Sequence, residues 1–398
     1  MPSTVLAEKF GSAGARIGNY VGAETALRFS DPRSEFAALL SGTALYDLGW
    51  RAKFKVAGRD RLRWLNNMVS NNIRDLPVRR GLYNFVLTPQ GRIVADLYAY
   101  NHGEYFLLDT DAAQAEKLFP HLKRFIIMDQ VEFTEVNGEL TSIGLQGPNS
   151  GDTLRTVGLN VPALESLQFV EPKWQFPILA VRSDHPTSQS YELWTAPGNV
   201  SALWDALIKA GATPVGAEAL ELYRIATGIP RYGQDIRERD LPQETAQKRA
   251  LNFTKGCYIG QEIVERIRSR GKVHRTFTAF QIDGPLPTPG TKIEDQGKEV
   301  GEITSAANIP ALGRGGNAES SSKTAPAKGE PPNSPPLTTG PSKNGSPTDS
   351  FPNGGKTIAL GYIRREALES GTSLEAKTFQ VGRAKATIYD LALETALL

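Results

Sequence analysis

The sequence holds 398 residues, of which 40% are hydrophobic and 22% are charged. This length and composition exclude a disordered or fibrous protein and allow two or three globular domains. The 45 Lys and Arg nearly balance the 43 Asp and Glu, for a formal net charge of +2, so the overall charge gives no argument for binding to nucleic acid or to an anionic membrane.

The amino terminus and the cysteine content bear on the compartment. Residues 1–16 lack the apolar h-region of a signal peptide, and no later stretch of the sequence approaches the ~18 uninterrupted apolar residues of a membrane span. Cys257 is the one cysteine, which excludes an internal disulfide and also an iron–sulfur cluster held by this chain alone. We therefore expect a cytoplasmic protein without a membrane partner.

Strand-like and helical runs are mixed through residues 1–270, which predicts an α+β core. The strand-like runs are AKFKVAG (52–58), LYNFVLT (82–88), RIVADLYAY (92–100), EYFLLDT (104–110), SIGLQG (142–147) and SYELWTA (190–196). Helical periodicity marks DRLRWLNNMVS (60–70), AAQAEKLFPHLKRF (112–125), VSALWDALIKAG (200–211) and GAEALELYRIA (216–226).

The turn TPQG at residues 88–91 joins two of these strand-like runs and predicts a β-hairpin. Asp96 falls in the middle of the second strand, where aspartate is disfavoured. Its carboxylate either faces solvent or lines a pocket, where it accepts a hydrogen bond from a cationic or N–H-bearing ligand. The sequence alone favours the solvated face.

The second notable segment surrounds Cys257. Gly256 and Gly260 predict a loop, and the apolar spacing from Gln261 onward predicts a helix that begins just after it. Unpaired N–H groups at that helix start, together with Lys255, would stabilise a thiolate. The alternative is a buried and inert cysteine, and the residues alone leave the two interpretations open.

Basic residues follow this segment closely, with Arg266, Arg268, Arg270, Lys272, His274 and Arg275 within ten residues. The surplus indicates either an anion site or a plain basic surface strip. The four histidines are far apart, and no H-E-x-x-H or C-x-x-C motif is present, so we expect no metal site.

From Lys272 to the carboxyl end, short strand-like runs separated by Gly and Pro turns predict a small barrel or sandwich. We assign residues 271–398 to this second domain. Residues 306–356 are rich in Pro, Gly, Ser and Asn and nearly lack aliphatic residues, which predicts a disordered insertion. Because VGEITSA and IALGYI flank it, the insertion enlarges one hairpin loop of a continuous domain.

The octapeptide KGCYIGQE (255–262) carries a family resemblance, supported by further segments along nearly the whole chain. These segments are ALYDLGWRAKFKVAGRDRLRWLNNMVSN, TPQGRIVADLYAY, LQGP, GIPRYGQDI, LPQE, VGEITSA and IALGYI. The sequence resembles the YgfZ family of folate-binding proteins, relatives of the glycine cleavage T-protein (aminomethyltransferase) and similar to mitochondrial iron–sulfur assembly factors.

The resemblance implies two α+β portions and a carboxy-terminal β-barrel in a ring around a central site for tetrahydrofolate or a one-carbon derivative. It also implies partners among iron–sulfur client enzymes or assembly proteins, and a role in the tRNA modification that such enzymes perform. Matched by position, the family pattern assigns Lys255, Cys257, Tyr258 and Gln261 to the signature loop (residues 255–262), and Tyr83 and Asp96 to the folate cleft. Tyr232 and Arg266 fall in matching segments. The candidates for cofactor binding are Tyr83, Asp96, Tyr232, Tyr258, Gln261 and Arg266. The catalytic candidates are Cys257, Lys255 and Asp96.

Two departures from the family pattern affect the folate expectation. Transferases of the T-protein type carry adjacent acids where this chain has Ala95 and Asp96. The superfamily glutamate that pairs with the pterin is replaced by Ala226, and helical spacing puts no acid beside it. An unpaired pterin N–H edge would weaken binding by about 1 to 3 kcal/mol.

The resulting hypothesis is a folate-binding accessory protein for iron–sulfur cluster assembly or repair, in which Cys257 works with ligands that a partner supplies. The alternative is a tetrahydrofolate-dependent aminomethyltransferase of the T-protein type with Asp96 as its polar group. A third interpretation, an RNA-binding strip at residues 266–275, lacks interleaved aromatic residues, and this argues against direct nucleic-acid binding.

Overall fold

A computed structural model describes residues 2–185, 189–271, 273–311, 355–369 and 377–389 of the chain. Up to residue 156, the helices are α1 (Ala7–Ser12), α2 (Pro32–Ser41), α3 (Arg61–Met68), α4 (Ala112–Lys123) and α5 (Ser150–Thr156). The strands of this part are β1 (Arg16–Tyr20), β2 (Ala23–Arg28), β3 (Ala44–Asp47), β4 (Arg51–Ala57), β5 (Arg80–Leu87), β6 (Ile93–Asn101), β7 (Phe106–Asp111), β8 (Glu132–Glu135) and β9 (Thr141–Gln146).

The chain continues with β10 (Phe169–Val170), β11 (Leu179–Arg182), β12 (Ser190–Thr195), α6 (Pro197–Lys209), β13 (Thr213–Pro214), α7 (Ala217–Ala226) and α8 (Gln261–Arg270). Short 3₁₀ turns cover Pro242–Thr245 and Lys248–Ala250. The last elements are β14 (Arg275–Asp283), β15 (Lys292–Asp295), β16 (Lys298–Ile309), β17 (Lys356–Arg364), α9 (Arg365–Glu369), β18 (Thr378–Val381) and β19 (Ala384–Tyr389).

Two mixed α+β layers and a barrel result from this order, as the sequence predicted. One sheet has the strand order β5-β6-β7-β4-β8, and a second has the order β10-β11-β12-β9-β3-β13. The strands β14-β17-β16-β15-β18-β19 close into a six-stranded barrel. No helix in the described ranges is long and apolar enough to cross a membrane.

The two sheets are joined by a buried lysine. Lys53 on β4 is fully buried, and its Nζ lies 3.1 Å from Oδ1 of Asp109 on β7. The same Nζ donates to the hydroxyl of Ser142 on β9 over 3.1 Å. Since an unpaired buried charge is costly, these contacts fix the position of one sheet on the other.

A second buried pair joins the core to the barrel. Arg224 at the end of α7 donates to Asp235 over 2.7 Å and to the hydroxyl of Ser305 on β16 over 3.0 Å. Ser305 in turn donates to Asp235 over 2.7 Å. The end of α7 is therefore held between the core and the barrel wall.

The hairpin predicted at residues 88–91 is formed. Thr88 N–H donates to the carbonyl of Arg92 over 2.8 Å, and Gly91 has a φ of 70°, which a residue without Cβ adopts at little cost. The turn thereby sets the register that places Asp96 opposite Phe85.

The predicted insertion begins later than we expected from composition. Strand β16 continues through Ile309, and Ala306 pairs with Ala359 of β17. The predicted start at residue 306 is therefore wrong, because residues 306–309 (AANI) still pair with β17, and the Pro- and Gly-rich composition begins after them. Residues 312–354 lie outside the described part of the chain. The division into two domains at residue 270 stays a prediction.

Candidate functional site

A cavity of about 410 Å³ lies between the two sheets and α7. The five-stranded sheet contributes Tyr83, Asp96 and Tyr98, the six-stranded sheet contributes Tyr46, Gln146 and Glu192, and α7 with the loop after it contributes Tyr223, Thr227, Gly228, Arg231 and Tyr232. The lining combines flat aromatic rings with carboxylates and amides. Such a cavity fits a planar ligand that has hydrogen-bonding groups along its edge.

Asp96 lies in this cavity, which decides between the two interpretations of its position on β6. Tyr83 Oη donates to its Oδ2 over 2.6 Å, and Gln114 Nε2 donates to its Oδ1 over 2.8 Å. Gln114 also accepts from the backbone N–H of Asp96 over 3.0 Å. Both carboxylate oxygens are thus oriented by neutral donors. The neighbouring Ala95 packs in a hydrophobic cluster of the core.

Tyr83 is held from its other side by Arg249. The guanidinium of Arg249 lies 4.4 Å from the centre of the Tyr83 ring and forms an ion pair with Asp184. Tyr98 Oη donates to the same Asp184 over 3.0 Å. Burial and the nearby Asp96 carboxylate raise the pKa of Tyr83 well above its usual range. The Tyr83 hydroxyl therefore keeps its proton and remains a donor to Asp96.

The six-stranded sheet supplies a second carboxylate that sequence reasoning missed. Glu192 on β12 lies opposite Gly144 on β9, and Trp194 Nε1 donates to it over 2.9 Å. A Cβ on Gly144 would lie only 2.1 Å from Cε2 of Tyr46, so the absent side chain makes room for the Tyr46 ring on this sheet face. Burial and the nearby Asp109 raise the pKa of Glu192.

Glu192 could have been found by the argument that identified Asp96. The run SYELWTA places a charged residue in the middle of an otherwise strand-like segment, where glutamate is disfavoured. The sequence of this run does not show which strands pair with it. The position of the Glu192 carboxylate in the cavity could therefore be known only from the sheet order.

Three side chains of the lining carry buried polar atoms without a hydrogen-bond partner among the described residues. They are Gln146, at 0% exposure, whose amide oxygen and nitrogen are both unpaired, Ser183, at 5% exposure, whose hydroxyl is unpaired, and His185, whose Nδ1 is unpaired. A buried polar group without a hydrogen bond costs about 1–3 kcal/mol. This arrangement is typical of a site whose hydrogen bonds are completed by a ligand.

The arginines of the lining form ion pairs with nearby carboxylates. Arg51 contacts Asp109 and lies 2.6 Å from Asp111. Arg231 lies 2.6 Å from Glu221. Because neighbouring carboxylates balance their charges, these arginines contribute to the wall of the cavity and attract an anion only weakly.

Ala226 does not face the cavity. Its side chain is 3% exposed and packs with Phe36, Leu360 and Tyr362 in a hydrophobic cluster between α7 and the barrel. The lining does contain a carboxylate from another element, Glu192 on β12. The expectation from sequence concerned only acids beside Ala226 on its own helix.

The amino group of Lys255 is buried in the base of the signature loop. Its Nζ donates to the carbonyls of Asn66 over 2.6 Å, of Val69 over 2.7 Å and of Asn71. These carbonyls lie at the end of α3 and just after it, so Lys255 caps that helix. Burial and the nearby Arg74 lower the pKa of Lys255 to about 7. We expected this amino group to stabilise a thiolate at Cys257. In the structure it donates instead to three backbone carbonyls.

Cys257 is exposed and does not belong to the cavity lining. Tyr258 beside it is 8% exposed and packs in a cluster with Tyr83 and Phe85. Gln261 Oε1 accepts from the backbone N–H of Tyr258 over 3.2 Å. The thiol therefore projects from a loop that is anchored on both sides.

The remaining predicted residues lie in different places. Tyr232 lines the cavity, and its hydroxyl donates to the carbonyl of Val94. Arg266 is exposed on α8, away from the cavity lining. Arg275 points inward and donates to Asp240 over 2.7 Å, so it is not part of a basic surface strip. Lys272 of the same cluster lies outside the described residues.

Comparisons with known proteins bear on the family of this chain. The profile of the family described as "GCVT N-terminal domain" matches residues 6–255. An aminomethyltransferase of Lysinibacillus sphaericus is 26% identical over 319 residues, which cover 78% of this chain and 87% of the relative. One from Geobacillus kaustophilus is 28% identical over 318 residues, with the same two coverages.

A solved structure shows the same fold. The crystal structure of the glycine cleavage system aminomethyltransferase T from Bartonella henselae superposes with a TM-score of 0.79, over 98% of this chain and 97% of that one. The sequence identity in this superposition is 19%, so this similarity bears on the fold alone.

Proposed function

The chain belongs to the family of the GCVT N-terminal domain, and from this membership we propose that its central cavity binds tetrahydrofolate or a one-carbon derivative of it. The observation that carries the proposal is the cavity itself, in which the oriented carboxylate of Asp96 faces the same space as Glu192 and the unpaired amide of Gln146. The relatives named aminomethyltransferase support it.

The lining fits a pterin ring in shape and in chemistry. A pterin is flat and carries N–H donors on one edge, which a carboxylate accepts. Glu192 supplies that carboxylate from β12, and the rings of Tyr46 and Tyr223 supply flat apolar surface near it. The loss of an acid at Ala226 therefore leaves a pterin acceptor in place.

Asp96 is the group that would act on the one-carbon end of the ligand. A bound reduced folate supplies the nitrogen atoms that carry one-carbon units. Asp96 orients such a nitrogen or holds a proton beside it, and Tyr83 and Gln114 fix the direction of its two oxygens. With Ala95 as its neighbour, Asp96 acts in this strand position without a second acid.

We place the chain in the YgfZ branch, as an accessory protein for iron–sulfur cluster assembly or repair and for the tRNA modification that depends on such clusters. The support is the signature loop, in which Lys255 and Tyr258 are buried anchors and Cys257 between them is exposed. A thiol presented in this way is accessible to a client enzyme or assembly protein. Because one thiolate cannot hold a cluster, the partner supplies the other ligands.

A second candidate is a tetrahydrofolate-dependent aminomethyltransferase. The observation that favours it is the extent of the similarity to relatives of that name, which covers 87% of the Lysinibacillus protein. The two candidates differ in a measurable product. Formation of methylenetetrahydrofolate from an aminomethylated lipoyl carrier, abolished by Asp96→Ala, would establish the transferase.

The test of folate binding is a calorimetric titration of the full chain with tetrahydrofolate. We expect saturable micromolar binding by the wild type and its loss in Asp96→Ala, with Asp283→Ala as the matched control because Asp283 is exposed on the barrel. No binding by the wild type would refute the proposal. Equal binding by Asp96→Ala would remove Asp96 from the ligand site.

A further inference from the structure

Gln146 is a fully buried residue of the cavity wall whose side-chain amide is unused. It ends β9, where Ser190 of β12 lies opposite it on one side and Ala44 of β3 on the other. Its side chain is 0% exposed and lines the cavity. Neither Oε1 nor Nε2 has a hydrogen-bond partner within the described ranges.

A second unpaired group lies in the same row of the sheet. The backbone N–H of Ser183 donates to the carbonyl of Ser190 over 3.0 Å, which places Ser183 across from Gln146 with Ser190 between them. The Ser183 hydroxyl is buried and has no partner in the described part of the chain. Two atoms of Gln146 and one atom of Ser183 are thus unpaired polar atoms on the sheet face that lines the cavity.

Unpaired polar groups are unfavourable when buried, which indicates that a ligand forms the missing hydrogen bonds. An apolar side chain of similar size at position 146 would avoid the cost of burying a donor and an acceptor without partners. On the opposite face of β9, Ile143 and Leu145 are apolar and fully buried in a hydrophobic cluster, whereas Gln146 lines the cavity. Gln146 is therefore unfavourable for the folded chain on its own.

The side chain of Glu192 lies on the same sheet face, two pairs along the strands. Glu192 is opposite Gly144 and Gln146 is opposite Ser190, so the two are diagonal neighbours in the antiparallel pair. Residues in that relation are about 7–8 Å apart, with their Cβ atoms somewhat closer, which is the scale of a bicyclic ring. A single flat ligand can contact both.

We infer that Gln146 is a specificity-determining residue that recognises the ring of the bound ligand, with its amide paired to an edge that presents an acceptor beside a donor, as a lactam does. Ser183 adds a hydroxyl to the same edge, and Glu192 accepts from the neighbouring N–H groups. This inference rests on the proposed folate function, since the pterin half of a folate is a ring of this kind. It assigns Gln146 to the ring and not to the side chain of the folate.

The test compares Gln146→Leu with the wild type against three probes, and it includes ligand-free stability. The probes are tetrahydrofolate, a methyl-substituted tetrahydropterin that lacks the folate side chain, and p-aminobenzoylglutamate, which lacks the ring. The matched control is Gln189→Leu, because Gln189 is exposed and its backbone carbonyl accepts from Gly147 next to Gln146.

We expect Gln146→Leu to weaken tetrahydrofolate and the tetrahydropterin by the same factor, about ten- to a hundred-fold, and to leave p-aminobenzoylglutamate unchanged. Without ligand, the urea concentration at the unfolding midpoint of Gln146→Leu should equal or exceed that of the wild type. If the amide had a structural role, this midpoint would be lower than that of the wild type. Gln189→Leu should match the wild type.

Wild-type affinity for tetrahydrofolate in Gln146→Leu would overturn this inference and leave folate binding intact. A lower unfolding midpoint of ligand-free Gln146→Leu would overturn it as well, since the amide would then be bonded within the protein. A loss confined to p-aminobenzoylglutamate would assign Gln146 to the other half of the ligand. Failure of the wild type to bind any of the three probes refutes the proposed function itself, and this inference with it.

Discussion

The hydroxyl of Tyr83 donates a 2.6 Å hydrogen bond to Oδ2 of Asp96 inside the central cavity. These residues lie on the paired strands β5 and β6, on the two sides of the turn at residues 88–91. Tyr83 is in turn covered by the guanidinium of Arg249. The hairpin thus places the Asp96 carboxylate next to the Tyr83 hydroxyl that orients it.

Removal of the Tyr83 hydroxyl should weaken folate binding without unfolding the protein. Tyr83→Phe keeps the ring under Arg249 and deletes the bond to Asp96. Hydrogen bonds to charged groups are worth about 1.5–3 kcal/mol, or roughly a ten- to hundred-fold change in affinity if the whole bond acts on the ligand. Calorimetric titration with tetrahydrofolate measures the change. Wild-type affinity in Tyr83→Phe would show that Gln114 alone orients Asp96.

The family resemblance identified Tyr83, Asp96 and Tyr232, which all line the cavity, and it missed residues that meet only through the sheet order. From the residues alone, the turn at 88–91 predicted the hairpin that carries Tyr83 and Asp96, but not that Asp96 faces a cavity. Gln146 and Glu192 belong to β9 and β12, and their pairing follows no short connection. Their common face could be known only from the fold.

The signature loop shows a second limit of local reasoning. Cys257 was expected before a helix, and α8 does begin at Gln261. The orientation of Lys255 could not be foreseen, because its acceptor on Asn66 lies 189 residues earlier in the chain. A local pattern predicts which residues share a loop, whereas the contacts of a long side chain depend on what packs under that loop.

Replacement of Lys255 should destabilise the fold. Lys255→Met leaves the carbonyls of Asn66, Val69 and Asn71 without their donor, and we expect a loss of about 2–4 kcal/mol of unfolding free energy. Urea unfolding measures it, and Lys248→Met is the control because Lys248 is exposed in a neighbouring turn. Equal losses in the two variants would contradict the capping role.

The same lysine should leave a signature in the pH dependence of stability. Its pKa falls from the ordinary 10.5 to about 7 in the folded protein, so between these values the unfolded chain holds a proton that the folded chain lacks. Stability then rises with pH in this window, by at most about 1.4 kcal/mol per pH unit. Lys255→Met should lack this contribution. An identical slope in both proteins above pH 7 would show that the carbonyls keep Lys255 charged.

Loss of the thiol should separate partner function from folate binding. Because Cys257 is exposed and outside the cavity, Cys257→Ser should fold and bind tetrahydrofolate as the wild type does. In cells that lack the protein, it should fail to restore the activity of iron–sulfur enzymes. Full rescue by Cys257→Ser would remove the thiol from the mechanism and favour the aminomethyltransferase candidate.

An acid at position 226 should not improve binding. Ala226 packs against the barrel side of α7, so Ala226→Glu buries a carboxylate among apolar side chains. We expect a loss of several kcal/mol of unfolding free energy and no tighter binding of tetrahydrofolate. Ala226→Leu is a control for the added volume. Tighter binding by a folded Ala226→Glu would show that helix α7 turns this position toward the cavity in the bound state.

The acceptor role of Glu192 predicts a pH-dependent affinity. Burial and the nearby Asp109 raise the pKa of Glu192, and an ionised carboxylate is the form that accepts pterin N–H groups. Binding therefore favours loss of the proton, and the wild-type affinity for tetrahydrofolate should fall as pH drops below the raised pKa. Glu192→Gln keeps the shape but not the charge, so its affinity should be lower at neutral pH and should lack this part of the pH dependence.

Titrations of both proteins over about pH 5 to 8 measure the difference, in which the protonation of the ligand itself cancels. Asp111, whose pKa burial raises to about 6, remains in both proteins and accounts for any slope that they share. Parallel curves for wild type and Glu192→Gln would show that Glu192 does not contact the ring. A steeper wild-type curve would instead locate the pterin edge on β12, beside Gln146.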